Sequence, residues 1–405
     1  MRMHLAARPV RSILRGIADA AERWRDGDFS PRVRALERIC ARTGYSMPVA
    51  EYALNRLFAA LNAADLQATV ERELGSIDVL DGFVSRTSMS RERALPAGRV
   101  CVISSRTTIG VALVPALFAL IAKCDVVVKD REDSLIAAFF STLYEELDEF
   151  RSAAVGEHWT GSERELGEFD VVVAFGHDAT IASIAAALTP RTRLIPFGTR
   201  ASVGYVARDA LSALQDAQEV ARGAARDLVL YETEGCLSLH ALFVEDRGTI
   251  TPDAFAEILA RQVERANAEF PLAGRAPQIV ARVAAARDLA AFRAAGGRGR
   301  VHSDTAATFL IDTTTSHEPP AFLPRAIGVR SVGSPEEAAA YCKQHRLPIE
   351  AVAIAGMRDD LADLAIELGA ARIARFGELQ APLAAGRHGG RPRIAEFVRW
   401  MTDER

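Results

Sequence analysis

The sequence has no excess charge of either sign: 49 Lys and Arg stand against 53 Asp and Glu, a formal net charge of −4. With no basic field to draw a phosphate backbone, nucleic acid is not an expected partner. A long apolar run is missing as well. The most apolar stretch, residues 109–122, is interrupted by Pro115 and falls short of the roughly 20 residues that cross a bilayer, so it reads as a buried helix and no membrane insertion is expected. Near the amino end, Arg8, Arg11 and Arg15 are followed by Asp19 and Glu22 instead of the apolar core of a secretory signal; the expected location is cytoplasmic. Cysteine is sparse, and Cys40, Cys101, Cys124, Cys236 and Cys342 form no C-x-x-C pair. That argues against a disulfide framework and a zinc ribbon, and no metal site is expected. A G-x-G-x-x-G phosphate fingerprint is absent too.

What is present is a chain of 405 residues, 49% hydrophobic and 25% charged, the balance of a soluble protein that folds throughout. At roughly 150 residues per domain the length implies two or three domains. Over residues 10–73 the apolar positions recur at helical spacing, as in Ala35, Leu36 and Ile39 or Leu54, Leu57 and Phe58, with Pro31 and Pro48 between segments. A charged, Ser-rich piece at 86–93 then predicts a hairpin or edge ribbon feeding the apolar run 100–103. Strands at 100–103, 125–129 and 170–175 alternate with helices from about 109 and over 134–150. Continuous Val and Ile runs separated by helices predict a parallel sheet covered on both faces. Strands at 201–206, 239–244, 306–311, 329–332 and 351–354, with helices at 211–229 and 252–268, predict a second α/β unit. Residues 296–300 read as a surface turn, Pro319, Pro320 and Pro324 as a stiff loop, and 394–401 as a short helix in a tail. The expected organisation is a helical segment 1–78, a dinucleotide-binding lobe 79–197, a thiol-bearing lobe 198–376 and a C-terminal tail 377–405 that packs back on the fold or on a partner subunit.

A few positions stand out chemically. Lys129 ends the run Asp125-Val-Val-Val-Lys, at the carboxyl end of a parallel strand, where open α/β sheets bind ligands; a solvated lysine at a strand end is the alternative. Gly176 sits between a strand and a helix, so a ligand's anion could approach its backbone, although turn geometry alone also explains a glycine there. Cys236, in Glu234-Gly-Cys-Leu-Ser238, lies in a loop just ahead of an apolar strand. It reads either as a thiolate nucleophile or as a small buried hydrophobe; the other four cysteines suit the second role better. His240 reads as a structural residue inside a strand, and His177 as a turn residue or a phosphate contact.

Taken together, Gly98–Ile103, Val126–Glu132, Ala174-Phe-Gly176, Gly198 and Glu234–Ser238 follow the order and approximate spacing of the aldehyde dehydrogenase superfamily. Phe197-Gly-Thr-Arg-Ala-Ser-Val203, the Gly-Cys-Leu-Ser segment and the ending His388-Gly-Gly-Arg-Pro-Arg393 through Trp400 make the chain most similar to its long-chain acyl-CoA reductases, typified by the fatty-acid reductase of bacterial bioluminescence. The resemblance spans roughly residue 80 to the C-terminus. It implies two α/β lobes with parallel open sheets, plus a small oligomerisation ribbon and C-terminal tail. It also implies Cys236 as the nucleophile, Lys129 at the adenosine ribose with Glu132 setting the preference for its 2′-phosphate, and Gly176 and Gly198 beside the dinucleotide.

The chain departs from the superfamily pattern in several places. Pro196 and Phe197 occupy the place of the water-activating glutamate, and neither accepts a proton. Thr107 falls at the oxyanion Asn, where the loss of one donor costs about 100-fold or more in rate elsewhere. Glu234 replaces a Gln, and a carboxylate so near the thiol calls for a partner such as Arg200 or Arg226. The superfamily's later glutamate, at the nicotinamide-ribose contact, is replaced by the Pro319–Pro320 region, with Glu318 the near candidate. The reading that follows is reduction of an acyl-CoA or acyl-carrier thioester to an aldehyde through a Cys-bound acyl-enzyme, using NADPH, with NADH possible, in a homo-oligomer. Acyl-phosphate reduction, aldehyde oxidation and a catalytically silent relative that binds acyl-CoA or dinucleotide are the competitors.

Overall fold

Alternating buried Val and Ile runs and helices build two separate α/β units. The computed structural model describes residues 5–405 apart from 88, 106, 161–164, 273, 316 and 384. Ser88 of the expected hairpin and Arg106 of the Ser-Ser-Arg-Thr-Thr segment therefore lie outside the described residues. One unit comprises residues 1–43, 50–198 and 383–405, and the other residues 44–49 and 199–382. Among the described residues, no helix is long and apolar enough to cross a membrane.

The first unit holds two sheets. A three-stranded antiparallel ribbon runs in the order β1 (Val84–Thr87), β2 (Ser90–Pro96), β15 (Val398–Asp403). A five-stranded, all-parallel sheet contains β3 (Arg99–Ile103), β4 (Asp125–Lys129), β5 (Ala154–Glu157), β6 (Val171–Phe175) and β7 (Arg193–Phe197), in the order β5-β4-β3-β6-β7. Every residue of β6 is buried, as both-face coverage requires. Helices Leu113–Ile121 and Leu135–Glu146 follow β3 and β4. The amino-terminal helices pack through Trp24, which is fully buried against Phe29, Phe58 and Phe139 and donates its indole N–H to the Thr142 hydroxyl at 2.9 Å.

Residues 394–401 are not the helix the sequence suggested. Only Ala395–Phe397 makes a short 3-10 turn, after which β15 pairs along β2 from Val398↔Pro96 to Asp403↔Arg91. The Glu73 carboxylate accepts the backbone N–H groups of Arg393, Ile394 and Ala395 at 2.8, 2.8 and 3.2 Å, which fixes the entry of the chain. An eight-residue helix is marginal by itself, whereas the open edge of β2 satisfies a full row of backbone groups.

The second unit contains one seven-stranded sheet, in the order β10-β11-β12-β9-β8-β13-β14. Its strands are β8 (Ala201–Val206), β9 (Leu239–Glu245), β10 (Val301–His302), β11 (Leu310–Asp312), β12 (Ala326–Val332), β13 (Ile349–Ala355) and β14 (Arg372–Ala374). All pairings are parallel except β10 with β11. The strand expected at 306–311 shrinks to β11. Helix Pro277–Ala295, which the sequence reading left out, buries only Val283 and Ala290, so it carries no wide apolar stripe to announce it.

Candidate active site

In the first unit, β3 and β6 are neighbours whose chains proceed to opposite sides of the sheet, and ligands bind outside the carboxyl ends of strands at such a switch point. The loop after β3 carries Thr107, which is half-buried, and the Ser104 N–H donates to the Lys129 carbonyl at 3.2 Å. Lys129 ends β4 with its ammonium 5.4 Å from the centre of the Trp159 ring, a cation–π contact that steers the charge along the sheet edge.

The next residues form a turn, and the helix begins at Leu135. The cause is Asp130. Its buried carboxylate accepts the N–H groups of Arg131 and Ala137 at 2.8 and 2.9 Å, and burial raises its pKa to about 6. Arg131 in turn pairs with buried Asp133 at 2.9 Å. Glu132 is thereby left exposed, 4.0 Å from Arg42.

Across the switch point, the Gly176 N–H donates to the Phe197 carbonyl at 3.2 Å. A Cβ at Gly198 would lie 2.3 Å from the Asp178 carboxylate, which bars any side chain there. Exposed His177 precedes helix Asp178–Ala186 without capping it. Three rings close this edge: Phe175 and Phe197 are parallel at 4.7 Å, and His388 stacks on Phe197 at 4.4 Å. Burial lowers the His388 pKa to about 3, so the ring is neutral.

The second unit presents Cys236 on the turn between helix Leu214–Val229 and β9. The Gly235 N–H donates to the Ser238 hydroxyl at 3.2 Å, the Ser238 N–H returns to the Gly235 carbonyl at 3.0 Å, and Gln380 donates to the same hydroxyl at 2.8 Å. Ser202, on β8, donates its hydroxyl to the Cys236 carbonyl at 2.8 Å. Just upstream, Tyr231, Glu232 and Thr233 take three successive left-handed conformations, with φ of 55°, 54° and 59°.

Burial, with a further contribution from Glu350, pushes the Cys236 thiol up to about 12; neighbouring N–H groups and Arg200 pull the other way. Cys101, Cys124 and Cys342 are buried, and Cys40 is partly so. Arg200 lies 3.9 Å from Glu350 and Arg226 lies over the Phe270 ring, so the expected pairing of these arginines with Glu234 is replaced by other contacts. Glu234 is exposed, yet burial of its surroundings and then Glu232 raise its pKa. The carboxylate that arginines do hold is Glu232, by Arg275 at 3.0 Å and Arg325 at 2.5 Å. Glu318 is engaged by Arg293 at 2.5 Å. His240 accepts the Ser202 N–H at Nδ1 (3.3 Å), lies 5.1 Å from the Phe322 ring, and is held neutral as burial lowers its pKa to about 4.

Thr107, Lys129, Gly176 and Gly198 thus gather at the carboxyl edge of one sheet, Glu132 lies in the turn that leaves that edge, and Cys236 belongs to the other unit. Sequence reasoning missed Trp159, His388, Ser202, Gln380 and Arg325. Of these, His388 and Ser202 lay in motifs already singled out; the other three reach their partners through long-range folding.

The acyl-CoA reductase (LuxC) family model matches residues 5–400. The long-chain acyl-protein thioester reductase of Aliivibrio fischeri is 22% identical over 246 residues, covering 58% of this chain and 50% of that protein. Its namesake from Photorhabdus laumondii is 23% identical with the same coverage. The matched region therefore spans about half the length of these curated relatives. Among solved structures, an NAD-dependent benzaldehyde dehydrogenase from Corynebacterium glutamicum superposes with a TM-score of 0.71 at 16% identity, covering 99% of this chain and 87% of that one. The glyceraldehyde-3-phosphate dehydrogenase GapN of Methanocaldococcus jannaschii, complexed with NADP, gives 0.69 at 12% identity, covering 98% and 90%. These likenesses establish an aldehyde-dehydrogenase fold.

Proposed function

The chain belongs to the acyl-CoA reductase (LuxC) family, and from that premise we propose that it reduces an acyl thioester, presented on CoA or on a carrier protein, to the aldehyde through an acyl-enzyme on Cys236. The observation that carries this reading is the end of β7: Pro196 and Phe197 stand there, with Phe197 packed against both Phe175 and His388. Pro196 and Phe197 carry no proton acceptor, and burial leaves the neutral His388 ring a weak base with a pKa of about 3, so the acyl group is kept for reduction or for return to CoA.

The first unit's edge suits a dinucleotide. A Cβ added at Gly176 would meet the Thr180 side chain at 3.4 Å, an ordinary contact, and the adjoining helix offers its amino end. Lys129 would hold the adenosine ribose, with Gly176 and Gly198 beside the phosphates. Exposed Glu132, close to Arg42, would bear on the choice between NADPH, the favoured form here, and NADH. A reduced nicotinamide bound there supplies hydride.

The chain's own residues do the rest. The Cys236 sulfur attacks the thioester carbonyl, a carbon–sulfur bond forms, and the CoA sulfur departs and takes a proton. The Cys236 backbone N–H is the proposed donor to the acyl oxygen. After reduction, the thiohemiacetal on Cys236 loses its hydroxyl proton and collapses, releasing aldehyde and the cysteine thiol. A homo-oligomeric, cytoplasmic enzyme completes the reading.

The test is intact-mass analysis after incubation with a panel of acyl-CoAs. The expected result is one acyl adduct, mapped to Cys236, that disappears with release of aldehyde when NADPH or NADH is added. An adduct on Cys101 or Cys124, or thioester reduction by Cys236→Ala, overturns the reading.

A further inference from the structure

Three non-glycine residues in a row, Tyr231, Glu232 and Thr233, hold φ values that L side chains rarely adopt. Each such residue is strained, and the arrangement persists only where its surroundings over-determine it. The turn ends at Glu234, whose N–H donates to the Tyr231 carbonyl at 2.9 Å, two residues before Cys236. What holds it is Arg325, an arginine whose side chain is 0% exposed.

Arg325 grips the turn from two sides. Its backbone N–H donates to the Thr233 hydroxyl at 2.9 Å, and that hydroxyl itself donates to the Leu228 carbonyl at 2.8 Å. Its guanidinium donates to Glu232 at 2.5 Å and to Asn267 at 2.5 Å. Arg275 takes the other oxygen of Glu232 at 3.0 Å and also donates to the carbonyls of Thr308 and Pro324 at 3.2 and 3.4 Å. Arg325 itself has φ of 52°. A buried charge cluster of this kind is weak as a source of stability, because desolvation offsets most of the attraction. Its geometric effect is strong: a forked guanidinium and a backbone N–H together fix two successive residues of one turn.

We infer that Arg325, acting through Glu232 and Thr233, is a positioning residue that sets the orientation of the Cys236 turn for attack on the acyl carbonyl. The inference rests on Cys236 as the nucleophile. Arg325 touches neither the thiol nor substrate in this scheme; it decides where the thiol-bearing turn points.

The test compares the full-length protein with Glu232→Gln and with Arg325→Lys. Three quantities are measured in each: kcat and KM for acyl-CoA reduction, the rate of iodoacetamide alkylation at Cys236 against pH by peptide mass analysis, and the dinucleotide Kd. The expected result for Glu232→Gln is a fall in kcat of tenfold or more with KM and dinucleotide Kd within twofold, and an altered Cys236 alkylation profile. Arg325→Lys, which keeps the charge without the fork, should recover at most part of kcat. Folded variants with unchanged kcat and an unchanged alkylation profile overturn the inference, as does a loss of kcat that merely follows the fraction unfolded. Should Glu232→Gln not fold, Thr233→Val, which leaves the ion pair and removes only the hydroxyl, carries the same expectations. Alkylation needs no thioester, so failure here is distinct from failure of the proposed activity, which is read from Cys236→Ala.

Discussion

At the scale of single residues, the proposed acyl transfer turns on the charge state of Cys236. Burial and Glu350 hold its proton on, while Arg200 and neighbouring N–H groups loosen it. The thiolate is the nucleophile, so these two side chains tune reactivity in opposite directions. Glu350→Gln removes a negative charge and should shift the midpoint of Cys236 alkylation down by about one pH unit, the size expected for a nearby charge at an effective dielectric near 20. Arg200→Gln should shift it up. Below the midpoint the iodoacetamide rate follows the thiolate fraction, so from pH 7 to 11 Glu350→Gln should alkylate faster than the unaltered protein and Arg200→Gln slower; the reverse ordering would show that neither group faces the sulfur. His240, four residues on, takes no part in this tuning. Its Nδ1 is occupied by the Ser202 N–H, which ties β8 to β9 instead of serving a proton.

At the scale of elements, the end of β7 matters most. A strand that closes on Pro196 and Phe197 and stacks on Phe175 and His388 ends without a carboxylate, and the His388 ring beside it is weakened as a base by burial, to a pKa of about 3. The acyl-enzyme should therefore persist in buffer for far longer than a catalytic turnover and be discharged by added CoA with re-formation of acyl-CoA. Quench-flow mass analysis checks this, and rapid release of free acid without CoA would restore a hydrolytic dehydrogenase. The C-terminal segment shows the same dependence of an element on its neighbours. Residues 394–401 have a composition that tolerates a helix, but the open edge of β2 and the Glu73 carboxylate make a strand the better solution. Helix Pro277–Ala295 is the opposite case: alanine-rich and mostly exposed, it forms on propensity with little apolar patterning.

At the scale of the whole molecule, each unit carries its own core, and in the second unit a buried carboxylate joins several elements. Glu245, at the end of β9, accepts the Tyr205 hydroxyl at 2.6 Å, Arg208 Nε at 2.7 Å and the Arg358 guanidinium at 2.7 Å. Burial works against its charge, but these hydrogen bonds outweigh burial and draw its pKa down to about 2. A carboxylate held below its ordinary 4.5 contributes stability that is complete above that pH and is lost as the pH falls toward 2. Glu245→Gln should lower the urea stability at pH 7 by about 2–4 kcal/mol, the cost of breaking a buried ion pair discounted for its half-exposed arginines. It should also flatten the decline between pH 4.5 and 2. An unchanged acid profile would mean that Glu245 is not what couples this unit to pH.

The sequence by itself determined the fold class, because the period of its apolar residues changes from helical to continuous β runs and back, and burial on both faces leaves Val and Ile few alternatives. It also determined the family, through Phe197–Val203, the Gly-Cys-Leu-Ser segment and the ending from His388 to Trp400, since these are local strings that survive without knowledge of neighbours. It could not assign Glu234 its environment, place Glu132 in a turn, or reveal that Arg325 clamps the turn before the thiol. Those outcomes depend on pairs far apart in the chain, such as Glu232 with Arg325 or Ser238 with Gln380. Their energies arise only when folding removes water from both partners, so tertiary structure alone decides them.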